Sequence, residues 1–181
     1  MLLLILGVLL WAAAHFFKRV APAKRAQMGD KAQGIVALAL LASVVLMVIG
    51  FRMTDAAILW DRHPATVGIN NLLNLLAVYL FAASGMKTWI TSKIRHPQLT
   101  AMKAWAVAHL LVNGDLPSFI LFGGLLAWAV AEVILINRQT EDTRPTGPFE
   151  TRKEIIAAGA SLVVFGLIAW VHYLLGYAAF G

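Results

Sequence analysis

Cysteine is absent from the 181 residues. That excludes disulfides, a thiolate nucleophile, thiolate metal ligands and covalent haem attachment through Cys-x-x-Cys-His. Any metal or cofactor iron must be held by histidine, methionine, carboxylate or neutral oxygen. Charge is scarce too: 13% of residues are charged, where a soluble domain has about a quarter. Apolar residues make up 60% of the chain. This is the composition of a membrane protein, and the length allows one compact bundle over residues 1–181, not two domains.

Crossing the hydrocarbon core takes roughly 20 apolar residues, with about 17 still sufficient. Six candidate spans follow: Leu2 to Phe17, Ile35 to Phe51, Val67 to Met86, Gln98 to Val112, Leu116 to Ile136 and Ile155 to Leu175. In lipid each must satisfy its own backbone hydrogen bonds, so each is a helix. The fourth is short, and only Asn-Gly-Asp-Leu-Pro joins it to the fifth, which predicts a tight helical hairpin. In the first, the positive charge of Lys18 and Arg19 follows the apolar run, so it reads as a retained span and not a cleaved signal peptide.

The basic residues orient the bundle. Lys18, Arg19, Lys24, Arg25 and Lys31 follow the first span; Lys87, Lys93, Arg95 and Lys103 follow the third; Arg138, Arg144, Arg152 and Lys153 follow the fifth. These are 13 of the 15 basic residues, so the odd loops are expected in the cytoplasm and both termini outside. The net charge of +6 is thereby accounted for by orientation, and nucleic acid is not an expected partner.

Two stretches, Arg62-His63-Pro64 and Arg95-His96-Pro97, stand just before apolar runs. Proline suits a first helical turn, so both read as helix starts. The other histidines, His15, His109 and His172, lie inside apolar runs. One such histidine is ordinarily a hydrogen-bonded structural residue. Three together favour a shared ligand, since polar residues in membrane helices face the bundle interior. Histidine pairs on facing helices hold haem iron. Zinc would want three or four ligands, and no His-Glu-x-x-His or similar cluster is present. At 1.5 Å per residue, His15 lies roughly 21 Å below the outer edge of the core and His109 roughly 9 to 16 Å above the inner one. His15 with His109 is the leading pair, and His109 with His172 is the alternative.

Glu132, in the fifth span, reads either as a proton carrier, ligand or ligand-supporting group, or as the partner of Arg138 or another basic residue. Asn70, Asn71 and Asn74 are expected to bond between helices. Asn113-Gly114 is a turn signal, and Asp115, ahead of Leu116-Pro117, is expected to cap the fifth helix.

The stretch "RHPQLTAMKAWAVAHLLVNGD" followed by "LFGGLLAWA", with "AAAHFF" near the start and "VHYLLG" near the end, resembles the NnrU family of bacterial inner-membrane proteins over nearly the whole chain. That family is related to the plant 15-cis-zeta-carotene isomerase. The resemblance implies a multi-pass protein of the bacterial inner membrane, associated with denitrification and nitric oxide metabolism. The plant relatives bind haem b and isomerise a cis double bond of a polyene when the iron is reduced. Their implicated ligands match the contexts of His15 and His109. A fainter similarity is to membrane methyltransferases that bind S-adenosylmethionine and begin a helix with Arg-His-Pro-x-Tyr-x-Gly. Here Leu99 replaces the tyrosine and Ala101 the glycine.

The expectation is an all-α integral membrane protein of six transmembrane helices, binding haem b through His15 and His109, with His172 in reserve. Its expected partners are the lipid bilayer, a hydrophobic small molecule, and a second copy or a redox protein. The rivals are an accessory protein for nitrogen-oxide reductases and a methyltransferase-like protein using Arg95, His96 and Glu132.

Overall fold

The computed structural model describes residues 1–180 of the chain. The order of elements is α1 Leu2–Val20, α2 Pro22–Gln27, α3 Lys31–Arg52, β1 Ile58–Trp60, α4 Pro64–Met86, α5 Ile90–Lys93, α6 Pro97–Val112, β2 Gly114–Asp115, α7 Leu116–Ser118, a π-helical turn Phe119–Gly123, α8 Gly124–Gln139 and α9 Thr151–Leu174. Among the described residues, five helical segments are long and apolar enough to cross a membrane: Leu2–Val20, Lys31–Arg52, Pro64–Met86, Leu116–Gln139 and Thr151–Leu174. Their outer faces are apolar as well, with Leu38, Leu41 and Val48 exposed on α3 and Leu162, Val163 and Leu174 on α9. Exposed apolar surface on this scale marks a lipid-facing protein. The expected fourth span is the exception. Pro97 starts α6 and extended Asn113 ends it after 16 residues. That is about 24 Å of helix against a core of about 30 Å.

The chain forms two compact units, Met1–Trp60 with Gly114–Gln139, and Asp61–Asn113 with Thr140 onward.

In the first unit α1 packs along α3, and also on α8 and the π turn. Small residues make the approach close. A Cβ on Gly7 would stand 2.7 Å from Met47 Cγ and 2.9 Å from the Ser43 carbonyl oxygen. One on Gly50 would meet the Leu4 amide nitrogen and stand 2.8 Å from Leu4 Cα. Backbone at that range cannot rotate aside, as small residues at membrane helix crossings allow. Gly50→Val is therefore expected to destabilise the protein by about 3 kcal/mol, the upper range for overpacking. Gly34 of the same helix has no atom within 4 Å of an added Cβ, so Gly34→Ala serves as the neutral control. Thermal unfolding in detergent compares the two.

β1 and β2 pair antiparallel, Ile58 with Asp115 and Trp60 with Gly114. Gly114 is required there, because a Cβ would stand 2.6 Å from Trp60 Cγ. Trp60 also meets Phe119 edge to face, with ring centroids 5.1 Å apart. Asp115 caps the next helix as expected: Ser118 donates its backbone N–H at 2.8 Å and its hydroxyl at 2.9 Å to the two carboxylate oxygens. Asp115→Ala should cost about 1 kcal/mol, the usual price of a lost N-cap, measured in the same unfolding assay.

In the second unit α4 packs on α6 and on α9. Ala77, Leu80 and Ala101 form a buried cluster covered by Tyr79, Ile90, Ile94, Ala104 and Trp105. Both Arg-His-Pro stretches do start helices. His63 caps α4, accepting from the Ala65 N–H at 3.2 Å, while the Thr66 hydroxyl accepts from the His63 N–H at 3.2 Å. His96 stands at the N-cap position of α6. The asparagines depart from expectation. Asn70 bonds Asn71 at 3.0 Å, and Asn74 bonds the Asn70 side chain at 2.9 Å and its carbonyl at 3.0 Å. Spacings of one and four residues let them satisfy each other along α4 instead of across helices.

Candidate functional site

In the first unit the polar residues of α1 recur every four positions: Trp11, His15, Arg19. Residues so spaced share a helix face. Trp128 and Glu132 of α8 have the same spacing and meet that face. The His15 ring lies between two indoles, with centroids 4.5 Å from Trp11 and 4.5 Å from Trp128. The indoles meet each other edge to face at 5.4 Å. Arg19 Nε donates to Glu132 Oε1 at 3.2 Å, and the Gln139 amide donates to the Arg19 carbonyl at 3.1 Å. Arg19 is thus the basic partner of Glu132, and the pair is largely buried, with side chains 20% and 6% exposed.

In the second unit α6 repeats the arrangement. The His109 ring lies 4.9 Å from Trp105, four residues earlier, tilted by 48° against 41° for the Trp11–His15 pair. His109 on α6 and His172 on α9 belong to this same unit.

All three histidines bond alike. The Nδ1 atom of His15 is 2.9 Å from the Trp11 carbonyl, that of His109 is 2.9 Å from the Trp105 carbonyl, and that of His172 is 2.8 Å from the Ile168 carbonyl. A carbonyl only accepts, so Nδ1 carries the hydrogen and the lone pair sits on Nε2. That is the tautomer of a metal-bound histidine whose second nitrogen is held by a backbone acceptor. The donor set therefore fits haem iron, which takes one or two imidazoles. Among the described residues no three His, Cys, Asp or Glu converge on a metal site. His15 belongs to the first unit, and His109 and His172 to the second.

One signal escapes a search that weighs histidines singly. The pattern Trp-Ala-x-Ala occurs three times, ending in His15, His109 and Glu132. The alanines keep the strip between tryptophan and polar residue narrow, so the next helix can approach both.

The loop after α8 folds onto the start of α6. Arg95 donates to the carbonyls of Thr140 at 2.7 Å and Glu141 at 2.9 Å. Arg144 donates to the Lys93 carbonyl at 3.0 Å and pairs with Asp142 at 2.9 Å. Desolvation pushes the Asp142 carboxyl up, but hydrogen bonds and charge from Arg144, with Arg95 adding, outweigh it and hold the carboxyl below its ordinary range. Its contribution is present at neutral pH and fades on acidification.

A family model described as NnrU protein matches residues 3–179. No curated protein and no solved structure matches the chain.

Proposed function

Since the chain belongs to the NnrU family, we propose that it is a haem b protein of the bacterial inner membrane, with His15 and His109 as the iron ligands and His172 as the alternative to His15. The observation that carries this reading is the shared tautomer: each imidazole has Nδ1 tied to the carbonyl four residues back. The repeated tryptophan beside His15 and His109 adds a flat apolar wall to each. We place six crossings in the membrane, counting α6, with both termini outside; the clustering of basic residues after the first, third and fifth spans supports that orientation.

Haem iron, held by His15 and His109, would supply a redox centre within the membrane. The chain's own residues hold the imidazoles in their ligating form, with Nδ1 tied to a backbone carbonyl. Such a centre suits redox-dependent cis–trans isomerisation of a polyene delivered from lipid, or a haem reaction in nitric oxide metabolism. The methyltransferase-like reading is weaker. Arg95 is engaged by two loop carbonyls, and Glu132 gives one carboxylate oxygen to Arg19 from a buried position on α8.

The test is an absorption spectrum of the detergent-purified protein, oxidised and dithionite-reduced, before and after titration with haemin. A Soret band that saturates at a fixed ratio supports the proposal, and a cis-polyene is then the first substrate to assay under reduction. No binding after reconstitution overturns it. Haem-free protein that co-purifies with a nitrogen-oxide reductase would point to the accessory role.

A further inference from the structure

Three buried side-chain atoms of the first unit have no hydrogen-bond partner: Nε1 of Trp11, Nε1 of Trp128 and Oε2 of Glu132. They are not scattered. Both indoles touch the His15 ring, and Glu132 lies one turn beyond Trp128 on the same face of α8. Glu132 is 4% exposed. Buried polar groups are almost always satisfied, and an ionised oxygen without a donor is the costliest kind to leave unpaired. Arg19 holds Oε1, which leaves Oε2 to find a partner elsewhere.

The orphans define what they can bind. An indole N–H only donates, and a carboxylate oxygen only accepts. A partner for all three must accept from two N–H groups and donate to one oxygen. A fully deprotonated anion cannot donate, and any anion meets the carboxylate of Glu132. Ammonium and metal cations cannot accept from N–H. An apolar group satisfies none of the three. A neutral molecule with an O–H and two lone pairs satisfies them all, and water is the smallest of that class.

We propose that Trp11, Trp128 and Glu132 form an internal binding site for one small protic molecule, water or a guest with its bonding pattern, beside His15. The site joins α1 to α8 through a bridge that neither helix can supply alone. It puts a protic group next to an imidazole that two indoles flank. It depends only on residues of the first unit and stands whether or not haem binds.

Two measurements on the full-length protein in detergent test it. The first is a brief X-ray burst that generates hydroxyl radicals from water, including ordered internal water, followed by mass spectrometry. Trp128, 7% exposed, is the decisive residue, with Trp89, 52% exposed and outside the long apolar helices, as the reference for access from outside. Trp128 should be labelled at a rate comparable to Trp89, and Glu132→Leu should abolish its labelling while leaving Trp89 unchanged. The second is ultraviolet resonance Raman of the indole N–H, assigned with Trp11→Phe and Trp128→Phe. Both indoles should report a hydrogen bond that is lost in Glu132→Leu. Free indoles in the wild type overturn the proposal. Bonded indoles with no labelling of Trp128 also overturn it, because they indicate direct contact with protein. Should Glu132→Leu fail to fold, the wild-type spectrum and footprint decide the matter.

Discussion

His109→Ala is expected to abolish stable haem binding. Loss of a supporting partner of a metal-bound histidine typically weakens the site by about 10- to 100-fold. Removal of the ligand itself should exceed about 100-fold by the same measure, which in a haemin titration is a Soret band that no longer saturates. His109 carries this prediction because both candidate pairs include it. His15→Ala and His172→Ala then separate the pairs. If His15→Ala loses or shifts the band while His172→Ala leaves it intact, the ligands are those proposed. The reverse result assigns the iron to the second unit, which holds both His109 and His172. A His109→Ala protein that binds haem like the wild type removes the assignment altogether. Exogenous imidazole adds a control: it should restore the band in a protein that has kept its fold.

The second large effect concerns Arg19. Breaking a buried ion pair from one side leaves an uncompensated charge and costs about 3 to 5 kcal/mol. The Arg19 side chain retains 20% exposure, so the lower end applies and Arg19→Ala should lose about 3 kcal/mol. Removing both charges is different. Arg19→Met with Glu132→Gln should recover most of the loss, since an apolar or neutral replacement of a buried pair is often close to neutral. Equilibrium unfolding in mixed micelles of Arg19→Met, Glu132→Gln and the two combined gives the three differences needed for a double-mutant cycle. A cost below about 1 kcal/mol for Arg19→Ala, as solvent-exposed pairs show, would mean that the pair is effectively hydrated.

The membrane helices were legible because hydropathy is a local property. Their ends were not, because α3 and α9 extend into Lys31 and into Thr151-Arg152-Lys153, polar residues that a lipid-length window leaves out. The partner of Glu132 shows a different limit. Arg138 is nearest in sequence among basic residues on that helix, but six positions rotate it away from the face where Glu132 stands, and only positions three and four apart are neighbours. Arg19 lies 113 residues away and reaches the carboxylate through packing of α1 on α8. The strand pair Ile58–Trp60 with Gly114–Asp115 left no signal either. Three apolar residues in a polar loop look like many other loops, and the glycine they need sits where a turn would also want one.

The π-helical turn at Phe119–Gly123 decides the aim of everything after it. A π turn holds one residue more than an α turn, and each residue advances an α-helix by about 100°. Trp128 and Glu132 therefore point more than a quarter-revolution away from where an unbroken helix begun at Leu116 would send them. Straightening the turn into α geometry with every residue kept would swing both side chains off α1, parting the indole from His15 and the carboxylate from Arg19. Deleting one residue while the turn straightens would remove the bulge and the extra count together, and leave both side chains facing α1. The turn thus absorbs one residue so that the face carrying Trp128 and Glu132 stays in register with α1.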